Sequence, residues 1–166
     1  MPSRIEHRAE FTQSVSEVFA AQSSEPALRA RLNEIGGDNA ALLDYAEIPG
    51  GVRFQLRQGV GAEKLPSAVR SLHRGDLFVD RQESWTLNGE TAVGTAKATV
   101  SGVPGEITAR TALSSENGKT VLRITGEVKI RIPIVGGKLE GFVADQITKL
   151  LAREAEYSAQ WLAERH

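Results

Sequence analysis

Apolar and polar residues alternate over residues 3–12, with Ile5, His7, Ala9 and Phe11 on one face and Arg4, Glu6, Arg8 and Glu10 on the other. A period of two predicts a strand with one solvated face. Ser14 followed three residues on by Glu17 is a capping-box pattern and predicts a short helix over 15–22, with Val15, Val18 and Phe19 inward. A second helix is expected from Pro26, a residue suited to a first helical turn, through Leu28 and Leu32 to a stop at Gly36-Gly37. Residues 39–48 suit strand or helix, because Ala40, Leu42 and Leu43 fit either period. The Pro49-Gly50-Gly51 turn then argues for a hairpin into Val52, Phe54 and Leu56.

In residues 62–74, Leu65, Ala68, Val69 and Leu72 recur at helical spacing between Gly59, Gly61 and Gly75, which predicts a short helix or lid-like loop, either gating a pocket or serving as a static connector that completes the core. Four longer strands are expected over 76–87, 91–102, 105–114 and 119–132, with tight-turn signals at Asn88-Gly89 and Asn117-Gly118. Pro133 ends the last strand, and a long helix follows over 138–165, about 40 Å at 1.5 Å per residue. Val143, Ile147, Leu150, Leu151, Ser158, Trp161 and Leu162 form its inner stripe. Such a helix must lie on an apolar surface, and the strand faces supply one. The expected architecture is therefore α+β: one domain over 1–166, with an antiparallel sheet of about seven strands, two short helices after the first strand, and a long C-terminal helix on the sheet. Gly94, Gly102, Gly105 and Gly126 lie in or beside strands, where they permit the bulges that curve a sheet.

Composition narrows the classes. A chain of 166 residues with 40% hydrophobic and 25% charged residues supports one core. A net charge of -1, with basic and acidic residues interspersed, lacks the basic stripe of a duplex nucleic-acid binder, so no nucleic-acid partner is expected. The absence of cysteine excludes disulfides, thiolate catalysis and cysteine-ligated metal sites. The stretch MPSRIEHRAEF lacks the apolar run of a signal peptide, and no window reaches the roughly 18 apolar residues of a membrane span. A cytoplasmic protein without a transmembrane segment is expected; the chain carries no signal of oligomeric state.

One strand face consists of Ala92, Gly94, Ala96, Ala98 and Val100, all small, so a helix crossing it can leave unfilled volume. Large residues of neighbouring strands, such as Phe54, Trp85 and Ile107, are the alternative filling. Arg81 and Glu83 share an apolar face with Leu77, Val79, Trp85 and Leu87. If inward, they orient and tune a ligand carboxylate or carbonyl, or else form a structural ion pair near the sheet rim. Glu154 interrupts the stripe of the terminal helix: it either meets Arg81 at a polar pocket end or packs its stem while its head reaches water. His7 on its apolar face reads as a hydrogen-bonded core residue. His73 and His166 form no pair with metal-ligand spacing, no Gly-x-Ser-x-Gly elbow is present, and Gly136-Gly137 lacks the rest of a phosphate loop. Neither a metal nor a cofactor is expected, and no catalytic set is assigned.

The segments LPSAVRSL (65–72), RQESW (81–85), VPGEI (103–107) and GEVKIRIPIVGGKLEGFVADQI (126–147), within this element order, resemble the START/SRPBCC superfamily, and within it an uncharacterised actinobacterial family. The resemblance implies the helix-grip, birch-pollen-allergen-like fold, a curved sheet wrapped around the C-terminal helix, with a cavity between them. It implies a small apolar or amphipathic partner such as a lipid, isoprenoid or polyketide. The expected lining is Phe54, Leu56, Leu65, Val69, Leu72, Arg81, Glu83, Trp85, Ala96, Ile107, Val143, Ile147 and Glu154. The alternatives are a cyclase/aromatase-like enzyme, using Arg81, Glu83, Glu154 or His7 to move a proton, and a protein-interaction module.

Overall fold

In the computed structural model, which describes residues 3–37, 40–60, 77–134 and 136–165, the elements follow in the order β1 (Ser3–Phe11), α1 (Val15–Ser23), α2 (Glu25–Ile35), β2 (Ala41–Ile48), β3 (Gly51–Val60), β4 (Leu77–Asn88), β5 (Thr91–Val100), β6 (Val103–Glu116), β7 (Lys119–Ile130) and α3 (Gly136–Ala163). The strands form one curved antiparallel sheet in the order β1-β7-β6-β5-β4-β3-β2. This is the expected helix-grip arrangement. The lid-like reading of 62–74 lies outside the described residues.

Local chemistry explains the boundaries. The capping box at Ser14 is complete: its Oγ accepts from the Glu17 backbone N–H, and the Glu17 carboxylate accepts from the Ser14 N–H. Ser24 caps α2 in turn, so the helix starts at Glu25 rather than Pro26. Residues 41–48 are a strand, pinned by the hairpin at Gly50 (φ 75°) and by stacking of Tyr45 on Phe54 at 6.4 Å. A register shift between Leu42 and Asp44 leaves Leu43 42% exposed. That bulge breaks the alternation and makes the segment read equally well as helix.

Two of the apolar clusters among the described residues account for most of the packing between layers. Phe11, Val15, Val18, Leu28, Phe54, Leu56, Leu113 and Leu122 belong to a core under α1 and α2. Ile5, Ala98, Ile107, Val128 and Ala144 pack beneath the first half of α3. The Glu140 carboxylate, buried on α3, accepts from the Ile130 N–H at 2.7 Å and ties the helix start to the end of β7. Gln22 Nε2 donates to Ser158 Oγ at 2.7 Å and ties α1 to the helix end. Among the described residues no helix is long and apolar enough to cross a membrane.

Candidate functional site

The helix α3 runs closest to β1 and β7 and stands off from the middle strands. Register then decides what the middle strands present. One row across the inner face reads Ile5, Gly126, Ala109, Ala96, Glu83 and Phe54 from β1 to β3. The next reads Val128, Ile107, Ala98, Arg81 and Leu56 from β7 to β3. Three adjacent strands therefore place glycine or alanine in one row where a core would place leucine. The space left is a cavity of about 410 Å³, within the roughly 300–1,000 Å³ of small-molecule sites.

Its walls are largely apolar: Ile5, Val79, Ala96, Ala98, Ile107 and Ala109 on the sheet, and Phe142, Val143, Ile147 and Leu151 on α3. Trp85 also lines the cavity. Its indole lies over Gly94, where a Cβ would sit 3.0 Å from the ring, and Phe19 meets it edge-on at 6.1 Å. A smaller apolar void of about 50 Å³ adjoins, sharing Ala98, Ile107, Phe142 and Val143.

One corner of the cavity is charged. Arg81 Nη1 donates to Glu154 Oε2 at 2.7 Å and to Gln58 Oε1 at 3.1 Å, and Nη2 lies 2.7 Å from Glu83 Oε2. Glu83 Oε1 accepts from the Trp85 indole N–H at 3.1 Å. Arg31, only 2% exposed, brings Nε within 3.8 Å of Glu154 Oε2, and its Nε and Nη2 find no hydrogen-bond acceptor among the described residues. Burial alone would raise the Glu154 carboxyl, but the Arg31 and Arg81 guanidiniums, with hydrogen bonds from Arg81 and Gln58, hold it down at about 2. Burial would lower Arg81, yet Glu154 and Glu83 override it and raise its pKa. Burial lowers His7, against an opposing pull from Glu154; its Nε2 is enclosed without a hydrogen-bond partner among the described residues.

Of the residues expected from sequence, Arg81, Glu83, Trp85, Ala96, Ile107, Val143, Ile147 and Glu154 all line this cavity. Phe54 and Leu56 do not. They share rows with Glu83 and Arg81, but both are buried in the core cluster that also holds Val15 and Val18 of α1 and Leu28 and Leu32 of α2. Leu65, Val69 and Leu72 fall outside the described residues. The Arg81–Glu83 pair is not at a sheet rim, and the Glu154 head does not reach water: Glu154 is 3% exposed. The expectation for His7 also needs correcting, since its ring is inward but that nitrogen is unpaired among the described residues. Sequence reasoning missed two corner residues, although both carried a signal. Gln58 continues the alternation of Phe54 and Leu56, and Arg31 sits beside Leu28 and Leu32 on the buried stripe of α2.

An uncharacterised protein of Mycobacterium tuberculosis is 31% identical over 173 residues, covering 98% of this chain and 98% of that one. The fold is similar to that of a Thermus thermophilus protein, with a TM-score of 0.66 at 13% identity over 98% of both chains. It is similar also to Ara h 8.0201, with a TM-score of 0.61 at 8% identity over 99% of both chains. A START superfamily protein from Mycobacterium smegmatis matches with a TM-score of 0.54 at 11% identity, over 96% of this chain and 98% of that one. Structural likeness at identities of 8–13% carries the fold and nothing of the ligand. The family described as "Protein of unknown function (DUF2505)" matches residues 6–162, so this chain, built on the START-type helix-grip fold, belongs to the DUF2505 family.

Proposed function

We propose that this protein binds a small apolar or amphipathic molecule of the lipid, isoprenoid or polyketide kind in the cavity between sheet and α3, without transforming it. The observation that carries this reading is the 410 Å³ cavity itself, with largely apolar walls and a charged corner at Arg81, Glu83 and Glu154. Apolar area moved from water onto such walls contributes about 25 cal/mol per Å², and the corner fixes which end of the ligand lies where. A cyclase-like reaction needs a side chain free to move a proton within reach of the substrate. Arg81, Glu83 and Glu154 are instead engaged with one another, and His7 is not among the cavity-lining residues. No observation favours a protein partner over a small molecule.

The test is titration of the purified protein with Nile red, an uncharged apolar fluorophore, followed by mass spectrometry of molecules extracted from protein purified from its native host. Saturable binding near one equivalent, displaced by the extracted molecule, is expected. A lack of saturable binding, together with an empty extract, would overturn the proposal.

A further inference from the structure

The polar side chains that line the cavity differ in their unused hydrogen-bonding capacity. Glu34, Gln146 and Arg153 are exposed, so water serves their heads. Gln58, Arg81, Glu83 and Glu154 engage one another, and the Trp85 indole N–H donates to Glu83. The Arg31 donors and the Glu83 Oε2 that find no hydrogen bond are enclosed, out of reach of anything in the cavity. Gln22 on α1 and Thr111 on β6 are different: both line the cavity, and they are 6% and 8% exposed. Gln22 donates from Nε2 to Ser158 Oγ at 2.7 Å, but its carbonyl oxygen has no donor among the described residues. The Thr111 hydroxyl has no partner among them. Neither atom is sealed off as the Arg31 donors are, so both keep surface on the void they line.

We propose that Gln22 and Thr111 form a neutral hydrogen-bonding subsite at the α1 end of the cavity, which receives the hydroxyl of an otherwise apolar ligand. This deepens the ligand-binding reading and rests on it. Topology brings the two groups to one end. Thr111 shares a row with Gly94 and Trp85, and α1 packs over β4, β5 and β6. Bare Gly94 separates Thr111 from the indole, so that flank of the hydroxyl carries no side chain of β5. Ser158, which holds Gln22, follows Glu154 on α3 by about one helical turn. A hydroxyl carries both functions the subsite lacks: it donates to the Gln22 carbonyl oxygen and accepts from Thr111. A bare hydrocarbon displaces water from both groups and leaves them unpaired in an apolar setting, which is costly. The apolar body of the ligand then lies along Ala96, Ala98, Ala109 and Ile147.

The experiment displaces Nile red from the full-length protein with naphthalene and with 2-naphthol, which differ by one hydroxyl, at about pH 7, where a phenolic hydroxyl stays protonated. Although 2-naphthol is the less hydrophobic of the two, it is expected to compete at a concentration at least about tenfold lower, a difference of about 1.4 kcal/mol. Thr111→Val replaces the hydroxyl with a methyl group of similar size, and Gln22→Met removes the amide. In each the preference for 2-naphthol should fall toward parity, whereas Thr111→Ser should keep it. Naphthalene competing as well as 2-naphthol in the native protein, or neither competing while Nile red binds, would overturn the subsite and leave the cavity reading standing. An undiminished preference in folded Thr111→Val and Gln22→Met variants would overturn the role of these two residues. If Nile red does not bind and the native-host extract is empty, the cavity reading itself fails and takes this inference with it. Should Gln22→Met fail to fold, the contrast between Thr111→Val and Thr111→Ser decides alone.

Discussion

At the scale of single residues, Arg81 and Glu154 lie 73 positions apart and meet at 2.7 Å inside the molecule. Each charge is compensated chiefly by the other, with Glu83 beside Arg81 and Arg31 beside Glu154. Removing one partner of a buried pair costs up to about 3–5 kcal/mol, since the survivor keeps its burial and loses part of its compensation. Glu154→Leu would leave Arg31 and Arg81 against Glu83 alone, and Arg81→Met would leave Glu83 and Glu154 against Arg31 alone. The double variant keeps one charge of each sign. Its cost should therefore fall well below the sum of the two single costs, by about 1–3 kcal/mol of coupling, as read from urea unfolding of the four proteins. Additive costs would mean that the corner is not an energetic unit. Arg81, Glu83 and Glu154 were legible in the sequence, because each breaks an apolar stripe of known period. Which of them pair was not legible, since pairing across 73 residues depends on how α3 lies over the sheet.

At the scale of elements, the cavity comes from one row of the sheet: Ala96, Ala109 and Gly126 on β5, β6 and β7. Their smallness has two different causes, and substitution separates them. Ala96 faces the void, so Ala96→Leu should fill it. Nile red affinity is expected to drop at least about tenfold, a loss of about 1.4 kcal/mol in binding, while unfolding stability changes by less than about 1.5 kcal/mol. At Gly126 a Cβ would lie 2.3 Å from the Thr108 carbonyl oxygen and 2.9 Å from the Ala109 Cβ. Gly126→Ala must push strand backbone apart and should cost about 1–3 kcal/mol of stability. Equal stability losses in the two variants would show that the row is packed rather than hollow. The alanine face of β5 could be read from alternation alone. The contribution of Gly126 could not, because register across β1, β7 and β6 sets which residues share a row. The bulge at Leu42–Asp44 hid β2 for a related reason: one extra residue in a strand destroys the period that identifies it.

For the molecule as a whole, the charged corner joins α2 through Arg31, β3 through Gln58, β4 through Arg81 and Glu83, and α3 through Glu154. Its protonation therefore acts on the docking of both layers. The seven strands and terminal helix were readable as patterns, and the small face of β5 announced a void; the position of that void was not readable, because it depends on α3 resting along β1 and β7 rather than over the middle strands. Acid should reveal the coupling. The Glu154 carboxyl is held at about 2 in the folded protein against an ordinary value of 4.5. A depressed carboxyl stabilises fully above its unfolded value, and that stability is lost as the pH falls from about 4.5 toward about 2, on the order of 3 kcal/mol in all. His7 adds a shallower loss that begins earlier. Its folded pKa is lowered, so below about 6.5 the unfolded chain takes up a proton that the folded one refuses. Glu116 is also held at about 2, chiefly by its hydrogen bond from Arg123 and then that from Ser114, but its side chain is 37% exposed on the sheet surface. Salt screens exposed charges far more than buried ones, so salt separates the two carboxylates. Urea unfolding midpoints measured from about pH 8 to about pH 2, in low and high salt, should be flat at first, dip gently below the histidine value and then fall steeply. In Glu154→Gln the steep limb should flatten at both salt concentrations. A steep limb that survives this substitution but disappears in high salt would place the acid sensitivity on the sheet surface instead of in the buried corner.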